Sequence, residues 1–298
     1  MPAAEGDRWS RWVLERRDAG SERQRAATLA RLAVIRDRVL RNAEPLDGAT
    51  VLDVGTGDGL IALEALERVG ADGTVIFSDV SQALLERCRE VVASQGWLDR
   101  ARFVTAAAED LAGIPDESVD VATTRSVLIY VSDKRSAFAS LLRVLRPGGR
   151  LSMFEPINRL MYPEPDGRFY GYDLSSVGEL VRKVRTTFTA LSDPAFRAAM
   201  MDFDDRDLAR LAEESGFARV HVECHIDIGP ADEQAVSLDA LLDAAPNPNA
   251  STLRETVDAA LNDAERARFL TALDRAFAGR DAVDRRAVAY LSATKNSR

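Results

Sequence analysis

The feature that most narrows the fold of this chain is Val51-Leu52-Asp53-Val54-Gly55-Thr56-Gly57-Asp58-Gly59, an apolar run that passes straight into a turn with three glycines. Leu60 then opens a stretch with helical spacing that reaches Val69. Strand, glycine turn and helix in that order form the first unit of a parallel α/β sheet. Glycine suits such a turn because the backbone bends sharply there and a ligand can approach it with no Cβ in the way. The motif by itself fits a dinucleotide as well as other nucleoside ligands. Two details separate them. The spacing is G-x-G-x-G, not G-x-G-x-x-G, and Asp53 places a carboxylate two residues ahead of the first glycine. That carboxylate would repel a pyrophosphate, whereas it would attract the ammonium and sulfonium of S-adenosylmethionine.

The same rhythm continues along the chain. Strands are predicted at Thr50 to Val54, Thr74 to Ser78, Arg102 to Thr105, Val119 to Thr123 and Arg150 to Phe154. Helices are predicted between them at Leu60 to Val69, Gln82 to Ser94 and Lys134 to Leu145. Gly70 and Gly96 stand where helix ends belong, and Pro147-Gly148-Gly149 turns the chain into the fifth strand. Residues 7 to 43 read as helical, with Trp9 and Trp12 near the start, until Pro45 and Gly48 break the pattern. A helix at Asp205 to Ser215, a sixth strand at Arg219 to Ile228 and a last strand at Arg286 to Ala293 complete the series.

The expected organisation is therefore a helical segment (1–48), a cofactor-binding core (49–155), an insertion (156–203), a core continuation (204–228), a second helical insertion (229–284) and a final core strand (285–298). Each insertion leaves the C-terminal end of a parallel strand, the edge at which open α/β sheets bind ligands. Both are read as a lid over that crevice, against the alternatives of a peripheral helical pack or a dimer surface.

Asp79 closes the second strand, 20 residues after Gly59. An acid at that offset commonly accepts hydrogen bonds from both ribose hydroxyls, although it could also cap the helix that starts near Gln82. Acceptor candidates cluster after the fourth and fifth strands. Glu155 and Tyr130 are the candidate catalytic groups, and Asn158, Arg159, Tyr162, Tyr170 and Tyr172 the candidate acceptor contacts. Arg159 could instead pair with Glu155, and the tyrosines could simply pack the lid.

Composition excludes some functions. A net charge of −9 speaks against a nucleic-acid partner. No apolar run is long enough to span a bilayer and no signal-peptide core is evident, so a cytoplasmic protein with no membrane partner is expected. Cys88 and Cys224 are far apart, and His221 and His225 sit i, i+4 in a predicted strand, so no metal site is expected. A homodimer stays open.

Together, the Val51–Gly59 turn, Asp79, Glu109-Asp110-Leu111 and Arg146-Pro147-Gly148-Gly149 resemble the class I S-adenosylmethionine-dependent methyltransferases. The nearest group is the bacterial small-molecule one that includes the ubiquinone/menaquinone and arsenite enzymes. The resemblance implies a doubly wound, Rossmann-like sheet of seven strands whose last strand is antiparallel. It implies cofactor contacts from Asp53, Gly55, Thr56, Gly57 and Gly59, then from Asp79, Val80, Ala108, Glu109 and Arg125. Ala107 stands where many relatives have an aspartate for adenine, which leaves that base to backbone groups and Glu109. The thiolate cluster of the arsenite enzymes is missing. The implied activity is in-line transfer of a methyl group to a small-molecule O, N or C nucleophile. Alternatives are an inactive cofactor-binding regulator, a methyltransferase for a macromolecule and a nucleotide-linked oxidoreductase, the last disfavoured by Asp53.

Overall fold

Val51 and Leu52 are consecutive and both fully buried, which a strand achieves only when helices cover both faces of its sheet. The structure, a computed structural model, describes residues 7–231 and 235–297. Residues 1–6, 232–234 and 298, which fall in the expected N-terminal, second-insertion and final segments, lie outside the described residues. The strands are β1 (Thr50–Val54), β2 (Thr74–Asp79), β3 (Ala101–Thr105), β4 (Val119–Arg125) and β5 (Leu145–Pro156). A short hairpin, β6 (Arg168–Phe169) and β7 (Tyr172–Asp173), precedes the long strands β8 (Phe217–Pro230) and β9 (Val283–Lys295). Seven of them form one sheet in the order β3-β2-β1-β4-β5-β9-β8, parallel throughout except for β9, which runs antiparallel to both neighbours.

Helix α1 (Arg8–Arg11) runs on as a π turn, Trp12–Arg16, and α2 (Glu22–Asn42) starts afresh. The predicted continuous helix is thus two pieces. Ala19 and Gly20 hold left-handed φ values of 51° and 65°, and the Ser21 hydroxyl caps α2 by accepting from the Gln24 N–H. Glycine followed by serine is a stop-and-restart signal that the missing proline concealed.

α2, α3 (Leu60–Arg68) and α4 (Gln82–Ser94) cover one face, packing Leu40, Leu66 and Cys88 with Val51, Val75 and Phe77. α5 (Lys134–Val144) and α8 (Asp205–Ser215) cover the other, packing Phe138, Leu141 and Leu208 with Leu52, Ala122 and Leu151. Burying side chains of this size contributes roughly 1.5–3 kcal/mol each. Most boundaries shift by one or two residues, and two strands start well before their predicted positions. Pro147 to Gly149 form a bulge inside β5, since Val119 pairs with Leu145 and Val121 with Arg150. β9 begins at Val283, because β8 keeps pairing with it as far as Pro230.

The first insertion holds the hairpin, α6 (Gly178–Leu191) and α7 (Pro194–Ala199); the second holds α9 (Leu238–Asp243), α10 (Leu253–Ala260) and α11 (Asp263–Gly279). They share one apolar core, in which Phe169, Leu180 and Val184 pack with Leu253, Val257 and Phe269.

Candidate functional site

The glycine turn joins β1 to α3, and its three glycines all hold left-handed φ, at 65°, 57° and 87°. Their surroundings differ. A Cβ on Gly55 would lie 2.3 Å from Val127 Cγ2, and one on Gly59 would lie 3.0 Å from the Leu63 side chain and 3.2 Å from Cys88 Sγ. Above Gly57 nothing lies within 4 Å of the corresponding position, so the middle glycine opens on the crevice. Cys88 donates its thiol to the Gly57 carbonyl at 3.4 Å and is driven up to about 12 by burial, which makes it a packing group under the turn.

Asp79, at the end of β2, ties the turn to the neighbouring helix. Its Oδ2 accepts from the Gly57 N–H at 2.8 Å and its Oδ1 from the Ser81 N–H at 2.9 Å. Ser81, not Asp79, caps α4. Each carboxylate oxygen keeps a second lone pair, which is what two hydroxyl donors on one ribose require. Val80 follows, half exposed, while the Ala106 N–H bonds the Asp79 carbonyl at 3.1 Å, so an apolar side chain and a backbone loop flank the same edge. Ala108 is buried in that loop, and the Glu109 carbonyl is held by the Ser140 hydroxyl at 2.7 Å.

Asp53 is buried at the end of β1, accepts from the Thr123 hydroxyl at 2.9 Å and is pushed up to about 6 by desolvation. Arg125, at the end of β4, is lowered from its ordinary value chiefly by burial. Asp58 faces it but is paired with Arg17 at 3.1 Å, and among the described residues no carboxylate lies within ion-pair distance of Arg125. The buried Thr124 hydroxyl, beside Val54 in the sheet, is also without a hydrogen-bond partner among them. A buried carboxylate and a buried guanidinium at the ends of the adjacent strands β1 and β4, each within the other's field but with no ion pair between them, suit a zwitterion. This donor set fits S-adenosylmethionine: acid for its ammonium, cation for its carboxylate, Asp79 for its ribose and Val80 for its base.

On the acceptor side the structure redistributes the expected residues. Glu155 is fully buried, and its carboxylate accepts the N–H groups of Val127, Leu128 and Ile129 at 2.9, 2.9 and 3.1 Å. Desolvation drives it up to about 7 against those three donors. It orders the loop after β4 rather than meeting an acceptor. Tyr130, in that loop, stacks on Phe196 at 5.2 Å and meets Trp9 and Trp12 edge-on at 5.1 and 6.5 Å. Burial raises its phenol above the ordinary value, so it is a hydrogen-bond donor at neutral pH and not a base. Arg159 does not pair with Glu155; it points to Asp204 and Asp207, 3.7 Å from each, at the start of α8. Asn158 heads the 3₁₀ turn after β5, where its carbonyl accepts from the Met161 and Tyr162 N–H groups. Tyr162, Tyr170 and Tyr172 come together around one cavity farther along the edge.

Sequence reasoning missed the N-terminal cover. Asp7 caps α1 and accepts from the Ser81 hydroxyl at 2.7 Å, Arg17 pairs with Asp58, and Trp9 and Trp12 lie between. Trp12 Nε1 also donates to the Ala245 carbonyl at 2.8 Å, so this short segment joins the cofactor turn to the second insertion. The spacing of the two tryptophans was the available signal.

The ubiE/COQ5 methyltransferase family matches residues 28–228. A ubiquinone/menaquinone biosynthesis C-methyltransferase UbiE from Idiomarina loihiensis is 32% identical over 177 residues, 58% of this chain and 68% of that one. Its counterpart from Marinomonas sp. is 33% identical over 178 residues, 58% and 67% of the two chains. Among solved structures, the YcgJ protein of Bacillus subtilis superposes with a TM-score of 0.52 at 17% identity, covering 88% of this chain and 97% of its own. The BH2331 protein of Bacillus halodurans gives 0.52 at 18% identity, with 88% and 98% covered. These two likenesses are of fold. The family match runs from α2 to β8 and takes in the glycine turn, Asp79, Arg125 and Glu155. The chain belongs to the ubiE/COQ5 methyltransferase family.

Proposed function

We propose that this S-adenosylmethionine-dependent methyltransferase acts on a small aromatic acceptor of the phenol or hydroquinone class, and that ring carbon is the nucleophile. The observation that carries the reading is the wall of four rings, Trp9, Trp12, Tyr130 and Phe196, on the loop and helices next to the glycine turn. Aromatic walls favour flat, polarisable ligands. The curated relatives, named as C-methyltransferases of quinone biosynthesis, support carbon as the atom methylated. A chain charge of −9 supports a small molecule over a nucleic acid as partner.

When bound, S-adenosylmethionine supplies a methyl group already activated by its sulfonium. The protein's own task is then to position and to exclude water. Asp53 and Arg125 would hold the two charged ends of the methionyl part, with Gly55, Thr56, Gly57 and Gly59 lining it, and Asp79 would fix the ribose. Val80, Ala108 and Glu109 would border the base. Tyr130, kept as a phenol by burial, would donate to an acceptor oxygen, while Glu155 fixes the loop that carries Tyr130. The two tryptophans would close the pocket to solvent.

Transfer of labelled methyl from S-adenosylmethionine to a hydroquinone, a catechol, an aliphatic amine and a short RNA tests this. Labelling of the aromatic probes, with a raised KM in Trp9→Ala, is the expected result; labelling of only the amine or RNA contradicts it.

A further inference from the structure

We propose that the cavity between the two insertions and the start of β9 is a second ligand site, apart from the methyl-transfer pocket, that receives the oxyanion, a carboxylate or phosphate, of a small aromatic ligand. The cavity measures about 450 Å³ and is bordered by Tyr162, Tyr170, Arg31, Arg285, Arg286 and Glu164. That volume is within the range of small-molecule sites.

Its walls are firmly built. Tyr170 and Gly171 form the hairpin turn with φ of 51° and 81°, both left-handed. Glu164 holds that turn by accepting the Tyr170 N–H at 3.0 Å and the Gly171 N–H at 2.7 Å. Gly171 lies so close to β9 that an added Cβ would be 2.5 Å from the Val283 carbonyl, and its own carbonyl accepts the Val283 N–H at 3.0 Å. A tyrosine in the left-handed region is held there by its surroundings, and such positions gather at ligand sites.

Among the described residues, the charges around the cavity do not cancel. Glu164 is engaged with two amides and with Arg185 at 3.6 Å, and Asp284 with Arg286 at 2.6 Å. Arg285 and Arg31 have no carboxylate within ion-pair distance among the described residues, and Arg285 Nε is shut off from solvent with no hydrogen-bond partner. A guanidinium nitrogen in that state is costly unless a ligand oxygen meets it, and a planar oxyanion meets two nitrogens at once. Desolvation at the cavity and the nearby Glu164 carboxylate hold the Tyr162 and Tyr170 phenols above their ordinary value, so both, the half-exposed Tyr162 included, can donate to an anion instead of repelling it. The cavity is set apart from the glycine turn: β9 is three strand steps from β1, and Arg285 lies six residues along β9 from Leu291, the residue level with Val54, about 20 Å at the usual rise. A small aromatic ligand charged at Arg285 would therefore lay its ring against Tyr162 and Tyr170 and not against Tyr130.

Calorimetric titration of the full chain with 4-hydroxybenzoate, phenyl phosphate and the uncharged 4-hydroxybenzamide tests the proposal. At least one anionic probe is expected to bind about tenfold more tightly than the amide. Whichever anion wins identifies the group as carboxylate or phosphate. Arg285→Met should abolish the preference and Arg31→Gln, on an exposed helix surface, should reduce it. S-adenosylmethionine titrated in parallel should bind both variants as it binds the parent. If Arg285→Met loses that too, it is misfolded and Arg31→Gln decides. Equal binding of anion and amide, no binding of any probe, or a preference that survives in the deciding variants would overturn the proposal. Failure of S-adenosylmethionine to bind the parent would instead remove the methyl-transfer reading and leave the probe result standing.

Discussion

Asp53 shows how one residue can serve both recognition and selectivity. Its carboxylate is buried at the end of β1 and driven up to about 6, so near neutral pH it is charged at a cost that a bound ammonium would relieve. Affinity for S-adenosylmethionine should therefore be full above pH 7 and weaken progressively as pH falls through 6, and Asp53→Asn should flatten that profile. A profile that is flat in the parent would contradict this role. Gly55 makes a steric demand. Its left-handed φ and the 2.3 Å approach of Val127 to an added Cβ mean that Gly55→Ala should destabilise the fold by on the order of 2 kcal/mol. Denaturant unfolding would read it, and the loss should be larger than for Gly57→Ala, where the space is open.

At the scale of elements, Glu155 is the instructive case. In the sequence it is a polar residue at a strand's carboxyl edge, and by that rule a candidate base; the structure gives its carboxylate three amides from the loop after β4. No pattern of residue types announces that a side chain will turn back onto backbone groups, because the loop that supplies them has no sequence signature. Glu155→Gln would set an NH₂ donor against N–H donors and should cost about 1–3 kcal/mol. Raised by burial from its usual range to about 7, Glu155 makes the native state hold more protons than the unfolded one between pH 4.5 and 7. Its contribution to stability thus falls as pH rises across that window. The stability gap between parent and Glu155→Gln should shrink likewise, and a gap that widens with pH would refute the assignment. The strands, the glycine turn and the α4 and α8 boundaries were legible because period, caps and glycines act locally. The break between α1 and α2 was written in Gly20 and Ser21 but outweighed by the longer helical pattern. The aromatic wall was not legible, since Trp9, Tyr130 and Phe196 meet only through tertiary packing across distant parts of the chain.

For the whole molecule, the two insertions are separated by α8 and β8 in sequence but share one apolar core, and the N-terminal segment from Asp7 to Arg17 joins that unit to the cofactor turn. They should accordingly respond together. Phe269→Ala, which empties a buried ring from the shared core at a cost of about 3–5 kcal/mol, should raise amide exchange in α6 as well as α11 while leaving β1 and β2 protected. Exchange confined to α11 would mean that the insertions are independent. The central claim is that the glycine turn and Asp79 form an S-adenosylmethionine cradle, and calorimetric titration of the parent chain and Asp79→Ala with that cofactor tests it most directly. The account predicts one site in the parent and affinity at least about tenfold weaker in the variant, which lacks the acceptor for the ribose hydroxyls. Equal affinity in the two proteins, or no binding to the parent, would contradict it.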